Sequence, residues 1–201
     1  MRILSWNVNG LRAVYKKGFV EAVARMDPDI LCLQETKLQE DQRSQEMINF
    51  DTYQSFWDYA STRKGYSGVA VYARKRPLAN RCGFGVERFD AEGRVIELDY
   101  GRFVLFNIYF PNGQKDDERL QYKLDFYRDF FSYADALKDQ GRSLIITGDF
   151  NTAHNEIDLK TPQSNKDRSG FLRIERDVLD ESISRGYVDS FRYLYPDTVK
   201  Y

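Results

Sequence analysis

The chain has 201 residues, and its 30 basic and 31 acidic side chains give a net charge of −1, which excludes DNA or RNA binding through overall positive charge alone. Hydrophobic residues make up 42 % of the chain, yet no apolar run approaches the roughly 18 residues of a membrane-spanning helix. Two cysteines are too few for a disulfide framework, so we expect a globular, cytoplasmic protein of one large or two small domains.

Apolar runs predict six β-strands along the chain. They lie at residues 3–8, 30–33, 68–73, 95–98, 103–109 and 144–147. Several of these runs are apolar on both faces, as strands covered on both sides should be. The runs at 95–98 and 103–109 are close enough in sequence to form a hairpin, which indicates that the sheet is not purely parallel.

Three helices are predicted by apolar residues at three- and four-residue steps. The first begins at Phe19 and ends before Pro28, because proline cannot continue a helix. The second covers residues 116–138, and the third covers residues 173–185. The third helix is expected to turn inward a face made of Ile174, Val178 and Leu179. Strands mixed with helices favour layers of sheet with helices outside, so the fold class is α/β or α+β.

Polar side chains stand at the ends of four apolar strands. Asn7 and Asn9 end the first strand before Gly10, although an ordinary Asn-rich turn would look the same. Glu35 follows the second strand, where a carboxylate is costly unless it is exposed, paired or bound to a cation. Either a hard cation such as Mg²⁺ or an ion pair with Lys37 would account for Glu35.

The strands at 103–109 and 144–147 are followed by the other two polar clusters. Tyr109 can donate a hydrogen bond to a phosphate oxygen, or its ring can simply pack. Asp149 and Asn151 lie two residues apart, so an extended chain points both side chains the same way. A carboxylate that handles water beside a carboxamide that binds phosphate suits this pair. The four clusters together predict a cleft across one edge of a sheet.

These motifs, in this order, resemble those of the exonuclease III/abasic-site endonuclease family, within the endonuclease/exonuclease/phosphatase superfamily. The matching segments are residues 6–12, 33–37, 92–95, 109–112, 148–154, 156–159 and 189–192. The Gln-Glu-Thr and Gly-Asp-Phe-Asn motifs are specific when they occur together. The resemblance implies a single domain over residues 1–201, a four-layer α/β/β/α sandwich in which two mixed sheets pack face to face.

The resemblance also implies a function, Mg²⁺-dependent cleavage of DNA 5′ to abasic sites in base-excision repair. A 3′–5′ exonuclease or 3′-phosphodiesterase activity would accompany it, and Mn²⁺ is the alternative metal. The expected partner is double-stranded DNA that carries abasic sites or 3′ ends.

Roles for single residues follow from the resemblance, position by position. Glu35 would bind the metal, with Asn9 nearby where many relatives have Asp. Asn7 would hold the active-site network, Tyr109 would contact the scissile phosphate, and Asp149 would activate the attacking water. Asn151, the fourth catalytic residue with Asn7, Tyr109 and Asp149, would bind a phosphate oxygen. The residues that would line the DNA groove are Arg12, Tyr66, Asn112, Asn165 and Lys166.

The sequence departs from the family pattern at its C-terminal end. Relatives continue to a Trp-Arg-x-Asp-Tyr-like segment and a Ser-Asp-His motif, which supply a histidine and the aspartate that orients it. The one histidine here, His154, belongs to the Gly-Asp-Phe-Asn segment, where relatives carry it as a structural residue. We expect the 201-residue chain alone to be at least about 10³-fold slower than a full-length relative. We also expect an open sheet edge, and a monomer if that segment is supplied.

Two other functions stay open at this stage. A related phosphodiesterase acting on inositol phosphates or sphingomyelin would share the metal-binding Glu and the Asp-Asn pair. A non-catalytic fragment that binds DNA or a partner protein would keep the motifs without turnover.

Overall fold

The computed structural model describes all 201 residues, and the chain divides into two compact units. The first unit comprises Met1–Tyr109 and Ala134–Asp149, and the second comprises Phe110–Tyr133 and Phe150–Tyr201. All the strands lie in the first unit: β1 Ile3–Asn7, β2 Ile30–Gln34, β3 Gln54–Asp58, β4 Val69–Ala73, β5 Ala79–Cys82, β6 Val95–Asp99, β7 Val104–Tyr109 and β8 Leu144–Asp149.

Eight α-helices accompany the strands, and two short 3₁₀ turns cover Glu40–Gln42 and Glu156–Asp158. The helices are α1 Leu11–Tyr15, α2 Phe19–Met26, α3 Gln45–Ile48, α4 Glu87–Asp90, α5 Asp117–Asp139, α6 Pro162–Asn165, α7 Arg173–Ser184 and α8 Ser190–Leu194. None of these helices combines the length and the apolar character that a membrane crossing requires.

The strands form two four-stranded mixed sheets, with orders β1-β2-β4-β3 and β5-β6-β7-β8. Each sheet contains one parallel pair, β1 with β2 and β7 with β8, and its other pairs are antiparallel. The predicted mixed sheets and the β6–β7 hairpin are therefore confirmed. In the parallel pairs, Asn7 lies opposite Gln34 and Tyr109 lies opposite Asp149, so the carboxyl ends of both pairs carry the predicted site residues.

Alternation along β2 explains why this strand is buried on both faces. Leu31 and Leu33 pack with α1 and α2 on one side of the sheet, whereas Ile30 and Cys32 pack against strands of the other sheet. Two buried carboxamides join the sheets within this apolar layer. Gln34 Nε2 donates to Asn107 Oδ1 at 2.7 Å, and Asn107 Nδ2 donates to the carbonyls of Leu33 and Ala70.

The second unit is built around aromatic rings from α5 and the segments that follow β7 and β8. The Phe110 ring stacks on Tyr127 and Phe150, with centroids 4.4 and 4.6 Å apart. The predicted inward face of α7 needs a correction, because the Ile174 side chain is exposed and Glu175 is fully buried instead. An ion pair with Lys123 satisfies that buried carboxylate, and periodicity alone does not reveal such a partner.

Two strands were not predicted from the sequence, and both are sheet edges. All four residues of β5 are exposed, and β3 begins at an exposed Gln54. The sequences of these two strands, Gln-Ser-Phe-Trp-Asp and Ala-Asn-Arg-Cys, lack the continuous apolar run by which the other strands were predicted.

Candidate active site

One carboxamide connects the carboxylates of the two sheets. Asn7 ends β1, and its Nδ2 donates to Glu35 Oε1 at 2.9 Å and to Asp149 Oδ2 at 2.6 Å. Glu35 follows β2 in the same sheet, whereas Asp149 ends β8 in the other sheet. Asn7 Oδ1 in turn accepts from the backbone N–H of Asn9 at 3.0 Å, which fixes the amide orientation. Three predicted residues thus meet at one end of the sandwich.

Tyr109 joins this group from the end of β7. Its hydroxyl donates a hydrogen bond to Glu35. Burial and the nearby negative charge of Glu35 raise the pKa of Tyr109 far above its ordinary value. The phenol therefore stays protonated at neutral pH and is available as a hydrogen-bond donor.

Glu35 is held in its charged form by the groups around it. Burial alone would raise its pKa, but hydrogen bonds from Asn7, Lys37 and Tyr109, together with the Lys37 charge, lower it below the ordinary value. Lys37 Nζ lies 2.9 Å from Glu35 Oε2 and also donates to Asn9 Oδ1. One ammonium group therefore contacts both oxygens that the sequence assigned to a metal.

The backbone of this strand end is strained. Asn9, Glu35 and Lys37 have φ of 45°, 53° and 52°, in the left-handed region that costs non-glycine residues about 1–3 kcal/mol each. Backbone hydrogen bonds hold the conformation, from Gly10 N to the Glu35 carbonyl at 2.7 Å and from Lys37 N to the Ser67 carbonyl at 2.9 Å. Strain of this kind concentrates at functional sites.

The oxygens present fit a hard divalent cation. Mg²⁺ is commonly bound by one or two carboxylates, with waters and substrate phosphate completing its shell. Glu35 supplies a carboxylate and Asn9 an amide oxygen on either side of the Lys37 ammonium. No group of three or more His, Cys, Asp or Glu side chains is arranged as a metal cage. The donor set therefore suits a metal that is bound partly by the protein and partly by waters and substrate phosphate.

Arg94 is a site residue to which the sequence analysis gave no role. Its side chain is 2 % exposed and is paired with Glu92 at 2.6 Å. It donates to the Tyr109 carbonyl and to the Tyr66 hydroxyl, both at 2.9 Å, and its guanidinium lies 4.8 Å from the centre of the Tyr109 ring. The sequence feature that could have pointed to Arg94 is the Glu-Gly-Arg-Val motif, which leads into β6.

In the second unit, Asn151 and Asn112 contact each other. Asn112 Nδ2 donates to Asn151 Oδ1 at 3.3 Å, and Asn151 Nδ2 donates to the Phe110 carbonyl at 2.8 Å. Asn151 has a left-handed φ of 51°. The amide of Asn165 is bound to Thr161 within its own turn.

The other predicted DNA-binding side chains lie at the surface. Arg12 in the first unit and Lys166 in the second are exposed, and their DNA contacts stay predictions.

The one histidine of the chain lies in the second unit and is held by two partners. The His154 ring hydrogen-bonds to Asp180 at 2.8 Å, and the His154 carbonyl accepts from Arg176 at 2.6 Å.

Comparison with known proteins gives a consistent result. A model of the Endonuclease/Exonuclease/phosphatase family matches residues 4–198. The chain is 43 % identical to an exodeoxyribonuclease of Bacillus subtilis, covering 98 % of this chain and 77 % of that protein. It is 42 % identical to the DNA repair nuclease APEX1 of Danio rerio, covering 98 % of this chain and 64 % of that protein.

A solved structure shows the same architecture. The AP endonuclease of Archaeoglobus fulgidus superposes with a TM-score of 0.87 at 26 % identity, over 99 % of this chain and 75 % of that one. The chain thus spans roughly two thirds to three quarters of the length of these three proteins.

Proposed function

Because this chain belongs to the Endonuclease/Exonuclease/phosphatase family, we propose that it is a metal-dependent DNA phosphodiesterase of base-excision repair. The proposed reaction is cleavage 5′ to an abasic site, with 3′–5′ exonuclease or 3′-phosphodiesterase activity at DNA ends. The observation that carries the proposal is the Asn7 bridge between Glu35 and Asp149, beside the Lys37 ammonium that contacts Glu35 and Asn9. The names of the relatives support DNA as the polymer.

The proposed chemistry follows from the atoms at this strand end. Mg²⁺, or Mn²⁺ in its place, would be held by Glu35 and Asn9 and would neutralise charge on the scissile phosphate. Asp149, fixed by Asn7, would accept a proton from the attacking water. The water oxygen would bond to phosphorus as the bond to the 3′ oxygen breaks, leaving a 5′ phosphate and a 3′ alkoxide that takes a proton from solvent to become the 3′ hydroxyl. The Tyr109 hydroxyl would donate to a phosphate oxygen, oriented by Arg94 at its carbonyl.

DNA binding is assigned to local contacts rather than to net charge. Arg12 and Tyr66 in the first unit, and Asn112, Asn165 and Lys166 in the second, are proposed to contact the duplex, and Asn151 a phosphate oxygen. Arg74 is a poor candidate, because it pairs with Asp27 at 2.6 Å and covers the Tyr53 ring.

The metal assignment is tested by Glu35→Gln, with Glu156→Gln as a matched control at an exposed carboxylate. Mn²⁺ binding is measured by calorimetry, and nicking of an abasic duplex is measured against Mg²⁺ concentration. Removing a residue that hydrogen-bonds to a metal ligand typically weakens metal affinity about 10–100-fold. Replacing the ligand Glu35 itself should therefore weaken metal affinity by more than about 100-fold. Equal effects of the two substitutions would sink the assignment.

The role of Asp149 is tested by Asp149→Asn, which keeps the shape and removes the charge. Nicking should fall by about 10²–10⁴-fold, the usual contribution of a positioned acid–base group. Near-full cleavage by this variant would show that another group handles the water.

Two other outcomes would favour the alternative functions. Turnover of an inositol phosphate or sphingomyelin in preference to the abasic duplex would replace the DNA substrate by a soluble or lipid phosphoester. Duplex binding without metal-dependent nicking would indicate a non-catalytic protein.

A further inference from the structure

An ion pair in the second unit is completely closed to solvent. Lys123 on α5 and Glu175 on α7 are both 0 % exposed, and Lys123 Nζ lies 2.7 Å from Glu175 Oε1. Burying two charges is expensive, and apolar residues of similar volume often replace such pairs without loss of stability. Stability is therefore a weak reason for this pair, and the groups it contacts point to another.

Glu175 also binds a loop through three hydrogen bonds. Its Oε1 accepts from the Ser169 hydroxyl at 2.7 Å, and its Oε2 accepts from the backbone N–H groups of Gly170 at 2.7 Å and Leu172 at 3.1 Å. The Gly170 carbonyl in turn accepts from Ala153 N at 2.9 Å. The carboxylate thus fixes a loop that is bonded to the chain just after Asn151.

Lys123 makes the direct connection to Asn151. Its Nζ donates to the Asn151 carbonyl at 2.6 Å. Asn151 has a left-handed φ of 51°, a conformation that asparagine tolerates, and the bond from Lys123 fixes its carbonyl there. With the bonds of its side chain to Phe110 and Asn112, the residue is fixed through both its backbone and its amide.

We propose that Lys123 and Glu175 are positioning residues for the reaction, which set the orientation of the Asn151 carboxamide toward a DNA phosphate. The proposal rests on the phosphate-binding role proposed above for Asn151. The pair acts only through Asn151 and the loop at residues 169–172, and it does not touch substrate. Lys123 is a donor within a closed network, where removing one partner leaves the others without compensation.

Two neutral double variants separate positioning from charge burial. Both carry Glu175→Gln, which keeps an oxygen for the loop N–H groups. One adds Lys123→Met, which cannot donate to the Asn151 carbonyl, and the other adds Lys123→Gln, which can. The readout is the affinity for an abasic duplex by fluorescence anisotropy, after the fold is checked by circular dichroism. We expect about tenfold weaker binding with Met, the size of one hydrogen bond from a charged donor, and a smaller loss with Gln.

Each double variant is also combined with Asn151→Ala. If the pair acts through Asn151, replacing Lys123 and Glu175 costs no further DNA affinity in a chain that already carries Asn151→Ala, because the effects of coupled residues are non-additive. Should the Met variant fail to fold, the Gln variant, which retains donors and acceptors, carries the same coupling measurement. A loss that persists undiminished without the Asn151 amide would overturn the proposal. So would unchanged binding by a folded Met variant while Asn151→Ala alone weakens it.

The proposed function has a different signature of failure. If Asn151→Ala itself leaves duplex affinity unchanged, the phosphate-binding role is wrong and the positioning proposal falls with it. If Glu35→Gln leaves metal binding unchanged while Asn151→Ala weakens DNA binding non-additively with the pair, the metal assignment fails and the positioning proposal stands.

Discussion

The two units each contain a Lys–Glu pair beside a predicted site asparagine, and the two pairs differ in exposure. Lys37 and Glu35 are 36 % and 19 % exposed with 2.9 Å between charged atoms, whereas Lys123 and Glu175 are both 0 % exposed at 2.7 Å. Lys37 can turn into solvent and keep its charge hydrated, so under the proposed function a metal would replace it at Glu35. Lys123 has no such alternative. The same two residue types thus form a partly exposed pair in one place and a pair closed to solvent in the other.

The largest expected effect comes from breaking the closed pair on one side. Lys123→Met leaves the Glu175 carboxylate buried without a cation, so the free energy of unfolding should fall by about 3–5 kcal/mol. Lys37→Met, the matched change in the open pair, should cost less than about 1 kcal/mol. Urea unfolding at pH 7 measures both. Similar losses from the two changes would mean that exposure does not distinguish the pairs.

A third carboxylate sharpens the comparison because it has no cation at all. Asp58 ends β3, and its Oδ2 is buried without a hydrogen-bond partner. Burial, with a smaller contribution from the Asp90 charge, raises the pKa of Asp58 to about 7, against the backbone N–H bonds from Val95 and Tyr59.

The sign of the resulting pH dependence follows from linkage. The folded chain binds the Asp58 proton more tightly than the unfolded chain, so stability is greatest in acid and declines as pH rises from about 4 to about 7. Asp58→Asn removes this decline. The difference in the free energy of unfolding between the variant and the original chain should shift by roughly 2 kcal/mol in favour of the variant from pH 5 to pH 8. Urea unfolding at the two pH values tests this, and a difference that does not change with pH would contradict it.

The smallest expected effect concerns the exchange of cations at Glu35. Lys37→Met removes the competing ammonium, so Mn²⁺ affinity measured by calorimetry should rise, by no more than about fivefold for a partly exposed pair. Lys75→Met, at an exposed lysine away from the site, is the control and should leave the affinity unchanged. Weaker metal binding after Lys37→Met would mean that the lysine supports the site instead of competing for it.

The part of the site that sequence could predict was the part that breaks local rules. Glu35 and Asp149 were identifiable because a carboxylate directly after an apolar strand needs a reason, and the structure joins both through Asn7. Lys123 gives no such signal, because a lysine between Tyr122 and Leu124 on a charged helix reads as a solvent-facing residue. Its burial is decided by a partner 52 residues later in the chain. Tertiary contacts of this kind are invisible to periodicity.

The glycine before Asp149 limits how this strand end can change during evolution. Gly148 has a φ of 139°, and a Cβ placed there would lie 1.9 Å from the carbonyl oxygen of Ile108 on the adjacent strand. Not even alanine fits unless β7 and β8 separate, which would move Tyr109 and Asp149 apart. Substitution at position 148 is therefore prevented by a steric clash and not by a requirement of the reaction. In a saturation library selected only for folding, with no substrate present, this position should already return glycine.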